Sequence, residues 1–257
     1  MTSRFEIMPF GRALDEAAQL PEPTRLTVTC SPKHGLDESV AVALRARELG
    51  HDVTFHLAAR MLRSREHLDG LLAALAAAGV DDALVLGGDA SPPLGPYESA
   101  VALLPVVHEH PSRPRTLGIA GYPEGHPLVD DDALARAFEA KLPYADYVTT
   151  QLCFDPEAIV RFASGVAVPV IAGVPGRVDA AKLLEISVRV GVGPSLRYLQ
   201  KQGGVRSLLK LAGGAAESLH ADLAPREEIA GFHYFTFNRL LDTWSWVRST
   251  TPEEVSR

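Results

Sequence analysis

The chain has 257 residues, 46% of them apolar and 22% charged, with a net charge of −7. That balance fits a globular protein with a large core, and its acidity argues against a nucleic-acid partner. No apolar run approaches the roughly 18 residues that a membrane helix needs, and MTSRFEIMPFG has no long apolar stretch or small-residue cleavage site, so a cytoplasmic protein without a membrane partner is expected.

Residues 4–8 read as a first strand and 26–30 as a second, with a short polar segment carrying Pro21 and Pro23 between them. Residues 36–49 show helical spacing of Leu36, Val40, Ala43 and Leu44 up to a stop at Gly50, and strand three follows at 53–57. A helix from Ser64 to Gly79 presents Leu68, Leu71, Leu72 and Leu75 on one face. It leads into Asp82-Ala83-Leu84-Val85-Leu86-Gly87-Gly88-Asp89, an apolar strand that stops in two glycines and a carboxylate. Such a run is how a parallel strand covered on both faces looks, although Asp89 fits a simple helix cap equally well.

A proline-rich loop then precedes a helix at 97–110, strand five at 116–121 and the loop Tyr122-Pro123-Glu124-Gly125-His126-Pro127. A helix at 130–141 opens with three aspartates, which suit the positive end of its dipole. Strand six at 147–154, a helix capped by Asp155 and strand seven at 168–172 come next. Helices at 179–190, 194–200 and 205–223, strand eight at 231–237 and a helix at 238–247 complete the pattern. Eight strands alternating with helices predict one (β/α)8 TIM barrel over residues 1–257, with an extra helical segment before strand eight. An open doubly wound sheet would show a glycine-rich nucleotide turn, and neither G-x-G-x-x-G nor G-x-x-x-x-G-K-[ST] occurs.

The ends of seven strands carry Glu6, Thr29, His56, Asp89, Tyr122 with His126, Gln151 and Arg239. In a barrel these positions converge on one face, which is where such folds keep their chemistry. Singly, His56 also fits a core histidine and Arg239 a surface helix residue; the joint placement favours a site. No zinc spacing or nucleophile elbow is present, and Cys30 and Cys153, far apart in strand-like runs, suggest buried thiols, so no metal is expected.

These residues give the chain a resemblance to the methylenetetrahydrofolate reductases. It rests on Phe5-Glu6 with Pro9, Thr27-Val28-Thr29, His56-Leu57, Gly88-Asp89, the Tyr122 to Pro127 loop, Thr150-Gln151 with Phe154-Asp155, Gly173 with Pro175, and His233 to Arg239. The resemblance implies reduction of 5,10-methylenetetrahydrofolate to 5-methyltetrahydrofolate in one-carbon metabolism, toward methionine biosynthesis, with NADH or NADPH and usually FAD. It implies Glu6 as the acid at N10, Asp89 and Gln151 on the pterin, and Arg239 on the folate glutamate. Thr29, His56, Gly88, Tyr122, His126 and Lys141 match the cofactor side. Three flavin-side positions differ from the family: Gly87 and Ala140 replace basic residues, and Phe235 replaces a tyrosine. Use of FAD is therefore open, as are a non-redox tetrahydrofolate-linked transfer, a folate- or flavin-binding module, and a homo-oligomer.

Overall fold

The computed structural model describes residues 1–177 and 214–250. Its strands are β1 (Thr2–Ile7), β2 (Arg25–Val28), β3 (Asp52–Ala58), β4 (Asp82–Leu86), β5 (Thr116–Gly121), β6 (Tyr147–Thr150), β7 (Val170–Pro175) and β8 (Ile229–Phe235). All pair in parallel with their sequence neighbours, and β8 closes on β1, so the fold is a (β/α)8 barrel. The helices are α1 (Ala13–Ala17), α2 (Gly35–Glu48), α3 (Arg65–Ala77), α4 (Ala100–His108), α5 (Asp131–Lys141), α6 (Pro156–Ser164), α7 (Ala215–Leu223) and α8 (Leu240–Thr250). The helices expected at 179–190 and 194–200, and the start of the one at 205–223, lie outside the described residues; α7 is its end.

Local chemistry sets the helix starts. Ser64, Ser99, Asp130 and Asp155 each accept a hydrogen bond from a main-chain N–H two or three residues on, which satisfies donors that the first turn leaves unpaired. The segment expected to be merely polar holds α1, whose Ala13 and Ala17, four residues apart, are both buried where it packs against α8. Strand six ends at Thr150 rather than Phe154: Gln151 N makes the last bond to β5, at Gly121 O (2.8 Å), and Asp155 already starts the next helix. Strand seven starts later than expected and runs on to Pro175, since Val174 and Pro175 still pair with Tyr234 and Phe235. Cys30 therefore lies just past β2 and Cys153 in the loop after β6; both are free thiols.

Apolar side chains fill the layer between strands and helices. Leu84, Tyr147 and Ile171 form a separate cluster joined by Leu86. These four come from β4, β6 and β7, and Tyr147 needs the space at Gly118 on β5, where a Cβ would run into its ring. Among the described residues no helix is long and apolar enough to cross a membrane.

Candidate active site at the carboxyl end of the barrel

Glu6 is the penultimate residue of β1 and is only 8% exposed. Its Oε2 lies 3.2 Å from Nε2 of His233 on β8, a ring only 2% exposed. Thr236 Oγ1 donates to the main-chain oxygen of Glu6, tying the end of β8 to β1. The His233 ring stacks on His56 of β3, with centroids 6.3 Å apart and planes 22° apart, and meets Phe235 edge-on at 4.8 Å. Burial first, and the neighbouring His233 second, hold the His56 pKa down at about 3, so that imidazole is neutral. Its Nε2, and Oγ1 of Thr27 on β2, are buried without a protein partner.

Past the strand ends, the next group centres on Asp89, which is exposed in the loop after β4. Burial, then the charges of Asp89 and Glu6, push the Cys30 thiol up to about 12, so Cys30 shares the field of both carboxylates and stays protonated. Burial and then Asp89 raise the Tyr122 hydroxyl as well. For His126, burial lowers the pKa while Asp89 opposes it; its ring meets Tyr122 edge-on at 5.1 Å. The charge of Asp89 thus reaches Cys30, Tyr122 and His126, while that of Glu6 reaches Cys30. Gly88 adopts φ +83°, and a Cβ there would sit 2.8 Å from Ala58 Cβ, which explains the glycine beside Asp89.

The other expected residues are more dispersed. Thr29 is half-buried just past β2, and its N–H donates to Ile7 O at 3.0 Å. Gln151 is half-buried at the end of β6, where its Oε1 accepts from Leu152 N at 2.8 Å. Lys141 is buried, its Nζ donating to Ala120 O at 3.0 Å, and burial lowers its pKa to about 8. Arg239 stands at the rim with Nε 3.1 Å from Asp242 Oδ2.

Sequence reasoning passed over His233, Cys30, Thr27 and Asn238 as site residues. The alternation of strand β8 would have found His233, two residues from Phe235 and on the same face. Asn238 and Phe237 have φ of 59° and 51°, values uncommon for residues other than glycine. Asn238 secures that turn: its Oδ1 accepts from Met8 N at 2.8 Å and its Nδ2 donates to Phe10 O at 2.8 Å. The loop after Glu6 is thereby fastened to the end of β8. Among the described residues no group of three or more His, Cys, Asp or Glu is arranged to hold a metal ion.

Comparison with known proteins bears on this face. The family model for methylenetetrahydrofolate reductase matches residues 12–185. Methylenetetrahydrofolate reductase 2 of Schizosaccharomyces pombe is 27% identical over 160 residues, which cover 54% of this chain and only 22% of that protein. A Clostridium thermocellum protein whose structure binds two copies of 5-methyl-5,6,7,8-tetrahydrofolic acid has a TM-score of 0.66 at 14% identity, covering 96% of this chain and 95% of that one. At that identity the likeness speaks to the fold alone. Asp89, Gln151 and the cofactor-side candidates fall inside the matched residues; Glu6, His233 and Arg239 lie outside them and join the same face because β8 closes on β1. On the extent of that match, the chain belongs to the methylenetetrahydrofolate reductase family.

Proposed function

We propose that this single-domain barrel reduces 5,10-methylenetetrahydrofolate to 5-methyltetrahydrofolate with a hydride from NADH or NADPH, as a cytoplasmic enzyme. The observation that carries the reading is a buried carboxyl group, Glu6, at the carboxyl end of a barrel whose family acts on this folate. The methylene carbon accepts hydride only as an iminium, which forms when N10 is protonated and its bond to that carbon opens. Glu6 supplies the proton to N10, and the nicotinamide supplies the hydride to the carbon. Asp89, an anion near the cation that develops, favours it over the neutral ground state. Gln151 holds the pterin edge, and Arg239 at the rim meets the glutamate carboxylate with a planar fork.

FAD fits this chain poorly. A Cβ at Gly87 would meet nothing within 4 Å, so the position is open around the main chain yet carries no cation. Ala140 is exposed on α5, and the neighbouring Lys141 is turned onto Ala120 O with its pKa brought down to about 8. A diphosphate would have to bind with two fewer charge-assisted contacts than the family pattern supplies, each worth about 1.5–3 kcal/mol. In this reading Thr29, His56, Gly88, Tyr122 and His126 would hold the nicotinamide, which would supply the hydride to the methylene carbon directly.

The test is anaerobic incubation of the purified protein with reduced nicotinamide and 5,10-methylenetetrahydrofolate, with and without added FAD. Stoichiometric 5-methyltetrahydrofolate without FAD is expected. Folate binding with no nicotinamide oxidation under either condition would favour a non-redox transfer or a binding module.

A further inference from the structure

Acid chemistry needs one oxygen of Glu6; the other is already engaged. Register places His233 beside Arg4 and Tyr234 beside Phe5, so the imidazole lies one pleat below Glu6 inside the barrel. We propose that His233 is the positioning residue for Glu6, its Nε2–H donating to Oε2 so that Oε1 carries the proton delivered to the substrate. This rests on the reductase reading above.

The surroundings favour that arrangement. Phe235 and His56 pack against the His233 ring and fix its plane. His56, neutral through burial, does not compete with Glu6 for a proton above about pH 3. The neighbours of the carboxyl are His233 from β8, at hydrogen-bond distance, and His56 from β3, stacked on that ring; the Cys30 thiol after β2 feels the charges of both Asp89 and Glu6. Of these, His233 alone makes a hydrogen bond to the Glu6 carboxyl among the described residues. A second observation points the same way: His56 Nε2 and Thr27 Oγ1 are buried polar atoms without protein partners on the strands that follow β1. The inner wall beside Glu6 on β8, β2 and β3 thus carries polar side chains, His233, Thr27 and His56. In each turnover Glu6 passes one proton to N10 and becomes a carboxylate that Nε2–H steadies; solvent returns one proton after product leaves, and the imidazole proton stays in place.

Two variants and one spectroscopic signature test this. His233→Leu should lower kcat about ten- to a hundred-fold, the scale of a lost hydrogen bond to a charged group, with the folate KM changed less than about three-fold. His233→Gln, whose amide nitrogen reaches a similar point, should restore kcat to within about five-fold of wild type. A folded Leu variant with wild-type kcat, or a folded Gln variant no better than Leu, would overturn the proposal. Independently of turnover, the ligand-free protein should show a hydrogen-bonded imidazole N–H proton resonance, assigned by its loss in His233→Gln. That resonance should vanish in Glu6→Ala and persist in Asp89→Ala. Its survival in Glu6→Ala would disprove the pairing even in an active enzyme. Its expected behaviour in a protein that reduces no folate would uphold the contact and reject the reductase reading.

Discussion

Inside the closed barrel, Arg4 Nη1 stands 3.0 Å from Asp82 Oδ2, and the guanidinium lies 4.2 Å from the centre of the Tyr147 ring. Thr54 Oγ1 and the Tyr147 hydroxyl donate to the same carboxylate at 2.7 and 2.9 Å. Burial raises the Asp82 pKa even though Arg4 pulls it down, so the pair is expensive to keep and more expensive to break. Asp82→Leu, which leaves the half-buried Arg4 without its carboxylate and Thr54 and Tyr147 without their acceptor, should destabilise the protein by up to about 3–5 kcal/mol. Adding Arg4→Met should recover most of that loss in urea unfolding at pH 7. A double variant as unstable as the sum of the single variants would show that the ion pair is not the source of the effect.

Glu6→Gln preserves shape and still accepts from His233 through its amide oxygen, but it has no acidic proton. Turnover should fall by roughly 10²–10⁴-fold, with folate affinity and thermal stability close to wild type. Steady-state kinetics with a parallel binding titration checks both halves. Near wild-type turnover would remove Glu6 from the chemistry.

Asp89→Asn removes an exposed charge that acts at a distance on Cys30, Tyr122 and His126. If that charge stabilises the cation more than the ground state, kcat should fall as well as affinity. A rise in KM with kcat intact would reduce Asp89 to a binding residue.

Much of the barrel was legible because each strand announces itself locally. Asp82–Leu86 is a short apolar run between a helix stop and two glycines, and the capping residues Ser64, Asp130 and Asp155 mark their helices unaided. The strand-end rule likewise expects Glu6, Asp89, Tyr122 and His126 at the carboxyl ends of strands, and they stand at the end of β1 and in the loops after β4 and β5. What escaped depends on partners distant in sequence. The length of β7 is decided by its pairing with β8, 59 or more residues away, and the burial of Arg4 by Asp82 and Tyr147 on other strands. His233 was part of a recognised motif, yet its contact with Glu6 exists only once β8 meets β1. Lys141 was placed with the cofactor side by resemblance; its bond to Ala120 O could not be read from the chain.

That lysine has a consequence for stability. Burial lowers its pKa from 10.5 to about 8, so between those values the folded protein binds fewer protons than the unfolded chain, and stability rises with pH. Below pH 8 both states are protonated and the whole penalty, about 3 kcal/mol, is present. Lys141→Met removes it but leaves Ala120 O unpaired, at about 1 kcal/mol. The variant should therefore exceed wild type by about 2 kcal/mol at pH 7, and lose that advantage as pH rises from 8 to 10.5. Urea unfolding at pH 7 and pH 10 checks it; an equal difference at both would contradict a lysine held in a desolvated place.

Direct hydride transfer is tested most directly by isotope. Reduced nicotinamide carrying deuterium at both C4 positions is supplied anaerobically with 5,10-methylenetetrahydrofolate in ordinary water, and the methyl group of the product is examined by mass spectrometry. The expected result is one deuterium in every 5-methyltetrahydrofolate formed, without added flavin. A methyl group carrying solvent hydrogen, with turnover that depends on FAD, would contradict direct transfer, because a flavin N–H exchanges with water before it delivers its hydride.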